Sequence, residues 1–123
     1  MPTIAILGAS RDRAKFGNKA VRAFAEKGYQ VYPVHPKETE IEGHKVYRSV
    51  AEIPVPTLDM ISVYLPPEIG LKVLPEIARK PCKELWLNPG ADSDALIEAA
   101  EGLGLNVIAA CSLVGLGVRP SEY

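Results

Sequence analysis

Apolar runs of strand length alternate with amphipathic helical stretches from one end of the chain to the other, and this alternation restricts the fold more than any other feature. "TIAIL" (3–7) is rich in β-branched residues and reads as a buried strand. "FGNKAVRAFAEKG" (16–28) puts Gly17, Ala20, Val21 and Phe24 on one helical face and Lys19, Arg22 and Glu26 elsewhere, with Gly28 as a C-terminal stop. "YQVYPV" (29–34) is a second strand and "HKVYRS" (44–49) a short polar third at an edge. "LDMISVYL" (58–65) is a fourth, ended by Pro66-Pro67. A helix over 68–80 turns Ile69, Val73, Leu74 and Ile77 inward, and Pro75 within it should kink or split it. "ELWLN" (84–88) is the fifth strand. A further helix, capped by Asp92 or Ser93, runs to Leu103 with Ala95, Leu96, Ala99, Ala100 and Leu103 toward the sheet, before a last strand "LNVIAA" (105–110).

Strands joined through helices lie parallel with right-handed crossovers. The expectation is therefore an α/β domain with a doubly wound, mostly parallel sheet, strand order 3-2-1-4-5-6, as one unit over residues 1–123. Strand order reverses between the first strand and the one ending at Leu65. A ligand is expected at that switch point, beside the loops after Gly8, Val34 and Leu65. Fourteen basic against fifteen acidic side chains, net −1, argue against wholesale binding to nucleic acid or an anionic membrane. No apolar run approaches the roughly 20 residues that span a bilayer, and the first strand starts at Thr3 with no leader read ahead of it, so a cytoplasmic protein is expected.

The three loops carry the distinctive residues. Gly8-Ala9-Ser10 ends the first strand, where a glycine lets backbone approach a ligand and helix-start amides can receive a phosphate. The same tripeptide also suits an ordinary strand-to-helix turn. The G-x-G-x-x-G spacing of a dinucleotide turn is absent, and a longer loop with Arg11, Arg13 and Lys15 runs on to Gly17. These cations suit a pyrophosphate with further anionic groups, or a solvated surface loop. After the second strand a nicotinamide binder needs an acid for the ribose hydroxyls, whereas this chain has His35-Pro36-Lys37, with Glu38 only later. A cation there fits a phosphorylated ribose. Tyr64-Leu65-Pro66-Pro67 ends the fourth strand as a rigid apolar wall for an adenine face or a flexible arm, and equally as a helix start with proline in its first turn.

Taken together, "ILGAS", "VYPVHPK", "EIEGHKVYRSVAEIP", "SVYLPPE", "LWLNPGA" and "VIAACSLVGL" resemble the small stand-alone CoA-binding proteins, and are similar to the CoA-binding domain of the succinyl-CoA synthetase α-subunit. The resemblance spans nearly the whole chain and implies a Rossmann-like domain that binds coenzyme A or an acyl-CoA. By position, Gly8, Ala9 and Ser10 would meet the phosphates, and His35-Pro36-Lys37 the phosphorylated ribose. Tyr64, Leu65, Pro66 and Pro67 would flank the nucleotide or the arm to the thiol. Where family members often carry Asn in a Val-Asn-Pro triplet, this chain has His35. Lys37, Arg11, Arg13 and Lys15 would share the charge of the pyrophosphate and the 3′-phosphate.

Catalysis is not expected. His35 and His44 are the only histidines and stand in no nucleophile pattern, no carboxylate cluster suggests a metal, and Cys82 and Cys111 lack zinc or disulfide-scaffold spacing. Cys111 reads as a small buried hydrophobe. Two other readings stand beside a non-catalytic CoA-binding module: an NAD(P)-binding protein, since "LGAS" opens many such folds, and a degenerate domain used for protein interaction.

Overall fold

The computed structural model describes residues 1–123. Along the chain come β1 (Thr3–Leu7), α1 (Phe16–Glu26), β2 (Gln30–Val34), a hairpin of β3 (Glu40–Ile41) and β4 (His44–Lys45), and a 3₁₀ turn (Val50–Glu52). Then follow β5 (Leu58–Val63), α2 (Pro67–Arg79), β6 (Cys82–Leu87), α3 (Asp94–Gly102), β7 (Val107–Ala109), α4 (Ser112–Leu116) and a last 3₁₀ turn (Pro120–Glu122). Five strands form one parallel sheet in the order β2-β1-β5-β6-β7, a Rossmann-like arrangement. Leu7 is in register with both Val34 and Val63, so the three strands at the switch point end level and their loops open on one edge.

The expected third strand is much reduced. His44–Lys45 pairs antiparallel with Glu40–Ile41, and only Tyr47 reaches the main sheet, as a single parallel bridge to Val34. It donates to the Pro33 carbonyl at 2.9 Å and accepts from His35 N at 3.1 Å. Residues 33 and 35 therefore face this edge. Pro33 has no N–H with which to extend the ladder by another step, so the order 3-2-1-4-5-6 contracts to five strands plus a bridge at the same edge.

Helices cover both faces. Leu74 and Ile77 of α2 and Leu96 and Ala100 of α3 pack with Ile61, Leu85 and Leu87 on one side. Ala20, Val21, Ala23 and Phe24 of α1 and Leu113 of α4 pack with Ile4, Ile6 and Val31 on the other. Pro75 does not split α2: it lies on the exposed side, where the carbonyl it leaves without an N–H partner faces water. Ile69, Ala95 and Leu103, expected to face inward, are exposed. Ser93 is the α3 cap, its Oγ accepting from Leu96 N at 3.1 Å. The apolar tail forms α4, which lies against the sheet so closely that a Cβ on Gly115 would fall 2.6 Å from the Trp86 ring. No helix is long and apolar enough to cross a membrane.

Candidate functional site

Gly8 turns the chain out of β1 with φ +83°, and a Cβ there would sit 2.6 Å from the Tyr64 carbonyl oxygen. Gly17, at the start of α1, is pressed just as closely onto the Gly8 carbonyl. The first contact clamps the first loop against the loop after β5, and the second closes that loop onto the start of α1. Between them the chain is tied down by side chains: Asp12 N donates to Ser10 Oγ and Ala14 N to Asp12 Oδ1, each at 3.0 Å. The fully buried Asn18 donates through Nδ2 to the Ser10 carbonyl (2.9 Å) and to Glu42 Oε2 (3.1 Å), while its Oδ1 accepts from Arg22 Nε at 2.7 Å. Glu42 supplies its oxygen from a φ of 50°, strained for a side chain of this kind and sustained by the Asn18 contact and the Gly43 turn beside it.

The second loop is organised by His35. Its Nδ1 accepts from Lys37 N and from Glu38 N, both at 3.0 Å, as an Asn or Asp side chain does in a turn. Arg48 closes the same loop from outside, donating to the His35 and Glu38 carbonyls at 3.2 and 2.5 Å. At the third loop Pro66 accepts, through its carbonyl, from Ile69 N and Gly70 N to start α2. Tyr64 is held by a buried hydroxyl group set: its OH lies 2.9 Å from Ser112 Oγ, which lies 2.8 Å from Ser62 Oγ. Asn88 anchors the set through Nδ2 to Ser62 Oγ (2.9 Å) and the Val63 carbonyl (2.8 Å), and its Oδ1 accepts from Ser112 N (2.8 Å). Burial pushes the Tyr64 phenol pKa up, against a smaller opposing effect of the Ser112 and Ser62 hydroxyls.

Between the three loops lies a cavity of about 500 Å³. Of the residues expected there, the first loop contributes Gly8, Ala9, Ser10 and Lys15, the second His35 and Pro36, and the third Tyr64 and Leu65. Pro66 lines an adjoining groove of about 540 Å³, which shares Gly8, Lys15, Tyr64 and Leu65 with the cavity and runs past Phe16 to Pro89, Gly90 and Ala91. Pro67 opens α2 and lines neither space. Lys37 is exposed, one residue beyond the two that line the cavity. Arg11 and Arg13 lie away from it, each 3.6 Å from a carboxylate, Glu38 and Glu42 respectively, around a separate polar depression. Cys111 is half-buried rather than buried.

The walls contain residues the sequence reading passed over. Arg48, Ser49 and Val50 close one side, and Ile69, Val73 and Glu76 come from α2. The last three are spaced four and three apart, so they share one helical face, and that periodicity was the available signal. The site thus offers a glycine turn that no larger residue can fill, amides ahead of α1, the lysine of that loop, an apolar wall and, at its far side, a carboxylate. A phosphate-bearing nucleotide fits that donor set at the loop end. No group of three metal-ligating side chains occurs, and Cys82, whose thiol burial pushes up, lies at the start of β6, the opposite end of the strand from this edge.

Known proteins match most of this chain. The model of a family described as the CoA binding domain matches residues 2–116. The α-subunit of ADP-forming acetate–CoA ligase II from Pyrococcus furiosus is 37% identical over 116 residues, which cover 85% of this chain and 25% of that protein. The α-subunit of ligase I from the same organism is 38% identical over 122 residues, covering 86% and 26%. The chain spans about a quarter of the length of these curated relatives. Among solved structures, a conserved hypothetical protein from Pyrococcus furiosus superposes with a TM-score of 0.83 at 37% identity, over 94% of this chain and 99% of that one. The dinucleotide-forming acetyl-coenzyme A synthetase 1 of Ca. Korarchaeum cryptofilum, in complex with phosphate and ADP, superposes with a TM-score of 0.74 at 25% identity, over 88% and 25%.

Proposed function

Because this chain belongs to the CoA binding domain family, we propose that its crevice binds coenzyme A or an acyl-CoA and carries out no chemistry of its own. The observation that supports this most is the meeting of Gly8, Ser10, Lys15, His35, Tyr64 and Leu65 around one cavity at the switch point of the sheet. The amides of Gly8, Ala9 and Ser10 receive the pyrophosphate, with Lys15 as the cation of the same loop that lines the cavity. Pro36 and Lys37, held by the His35 turn, meet the phosphorylated ribose. Tyr64, Leu65 and Pro66 flank the nucleotide and the arm, and Pro67 fixes the start of α2 behind them. Arg11 and Arg13 already have carboxylate partners, so their share of the ligand charge requires exchanging Glu38 and Glu42 for phosphate oxygens. Such exposed pairs are weak, roughly 0–1 kcal/mol, and exchange readily.

The ligase relatives are about four times longer than this chain, and the reaction in their names is not carried over to it. Neither His35, whose Nδ1 accepts two backbone amides, nor any cysteine has the neighbours of an activated nucleophile. The test is calorimetric titration of the purified chain with CoA, an acyl-CoA, NAD and NADP, together with thermal unfolding. CoA should raise the melting temperature by mass action, about 2.7 kcal/mol of stabilisation at a hundred times Kd. NAD and NADP should shift it little. A larger shift with NADP than with CoA overturns the reading, and steady hydrolysis of an acyl-CoA overturns the absence of chemistry.

A further inference from the structure

A crevice that takes a polyanion should not contain an unpaired carboxylate, yet this one does. Glu76 lines the cavity, half-buried, and no lysine, arginine or histidine lies within ion-pair distance of it. One oxygen, Oε1, accepts from Val50 N at 3.1 Å and so fastens the 3₁₀ turn to α2. The other, Oε2, makes no hydrogen bond within the protein and is not sealed away from solvent. Following Ile69 and Val73 along one face of α2, the carboxylate stands about 10 Å beyond Ile69, two turns from the helix end beside Tyr64 and Gly8. A phosphate placed beside it would be repelled. A neutral ring carrying an N–H donor would be held.

We infer that Glu76 sets the base specificity of the crevice, its Oε2 accepting from the exocyclic amine of a 6-aminopurine. This rests on the CoA reading above, which places phosphates at Gly8–Ser10 and Lys15 and leaves the base for the far end. Once its ring is attached to ribose, adenine has only that amine as an N–H donor, and the amine meets the free carboxylate oxygen in the wall. Leu65, Ile69, Val73 and Val50 supply the apolar surface around the ring. The carboxylate thereby also orients the ligand, since entry base-first toward the phosphate loop sets like charges together at the other end.

Substituting Glu76→Gln tests this sharply, because Val50 N–H holds one position. The Gln oxygen must take the place of Oε1, which leaves the amide nitrogen, a donor, where Oε2 accepted. The probes are ADP and IDP, which differ in the 6-substituent and the proton on N1. The parent should prefer ADP by about tenfold, the size of one charge-assisted hydrogen bond. In the variant that preference should vanish or invert, with its urea midpoint lowered only slightly because the Val50 contact survives on a neutral oxygen. Equal binding of ADP and IDP by the parent, a parent preference for IDP, or a uniform loss of both in the variant overturns the inference. CoA is titrated alongside. If CoA binds but the base is not discriminated, only this inference fails. If ADP is preferred but CoA does not bind, only the CoA reading fails, and if no nucleotide binds, both do.

Discussion

Three glycine-to-alanine substitutions separate the two reasons a glycine is needed at the mouth of the crevice. At Gly28 the backbone has φ +89° and a Cβ would meet nothing within 4 Å, so alanine there brings backbone strain alone. The left-handed conformation costs an L-residue about 1–2 kcal/mol, of which roughly 0.4–1 is offset by the stiffer unfolded chain. Gly28→Ala should therefore destabilise by about 1 kcal/mol. Gly8 has the same strain at φ +83°, and in addition its Cβ would fall 2.6 Å from the Tyr64 carbonyl oxygen and 2.8 Å from its carbon. That carbonyl cannot swing aside cheaply, because Tyr64 N is bonded to the Leu7 carbonyl at 2.8 Å and Tyr64 OH to Ser112. Overpacking of this kind costs about 1–3 kcal/mol, so Gly8→Ala should lose about 3 kcal/mol in all. Gly17 has helical φ, and alanine there should gain up to about 1 kcal/mol in propensity while colliding with the Gly8 carbonyl. A net loss at Gly17 reports the collision by itself. Urea unfolding, with the slope m checked for constancy, reads all three. For a chain of this size about 3 kcal/mol corresponds to roughly 10 °C in melting temperature. If Gly8→Ala costs no more than Gly28→Ala, the first and third loops do not touch as described, and if Gly17→Ala stabilises, the first loop does not close onto α1 as described.

Other consequences can be read in the same laboratory. Asp59 accepts from Thr3 N at 2.7 Å and sits 3.0 Å from the Lys83 ammonium, so the Thr3 backbone bond first, and Lys83 after it, hold its carboxyl below the usual value. That stabilisation is fully present above about pH 4 and is lost as pH falls through the lowered folded value, so Asp59→Asn should flatten the acid limb of a urea-midpoint profile. An unchanged limb refutes it. Lys37→Ala should weaken CoA binding roughly tenfold and at the same time remove the preference for CoA over dephospho-CoA, since the partner of the 3′-phosphate is gone. A variant that still prefers CoA transfers that contact to Arg11, Arg13 or Lys15. His35→Asn should retain CoA affinity and His35→Ala should lose it, because an Asn oxygen can accept from the Lys37 and Glu38 amides as Nδ1 does; calorimetry showing equal losses would exclude that turn as the reason for His35.

How far the sequence reached depends on how local each determinant is. Gly17, Ala20, Val21 and Phe24 are all buried because their spacing of three and four reports a helical face directly. The three loops converge because strand order alone dictates which strand ends meet. Arg11 and Arg13 behave differently: their carboxylate partners come from beyond β2, and no local pattern in the first loop announces a hairpin that folds back on it. The third strand shrinks to a single bridge at its expected edge for a reason present in "YPV", where one missing N–H outweighs the β-propensity of the residues opposite. At five residues, α4 is too short for a periodic signal, and it takes its shape from Asn88 and Trp86 rather than from its own sequence.

The hydroxyl set behind the crevice wall has a direction. Two backbone groups orient Asn88, since its oxygen must face Ser112 N–H and its nitrogen the Val63 carbonyl. That nitrogen therefore donates to Ser62 Oγ. Buried and already accepting, Ser62 has one proton to give, and Ser112 Oγ is the neighbour that takes it; Ser112 in turn gives its own to Tyr64. The sequence ends at a phenol that accepts from the protein and whose own proton no protein group takes. Burial pushes its pKa up, so the proton stays. A group that reached the free side of that hydroxyl would meet an O–H donor, which a carbonyl or phosphate oxygen can accept. A side-chain amide just past β6 thus sets, three links away, the direction in which the Tyr64 hydroxyl can give its proton.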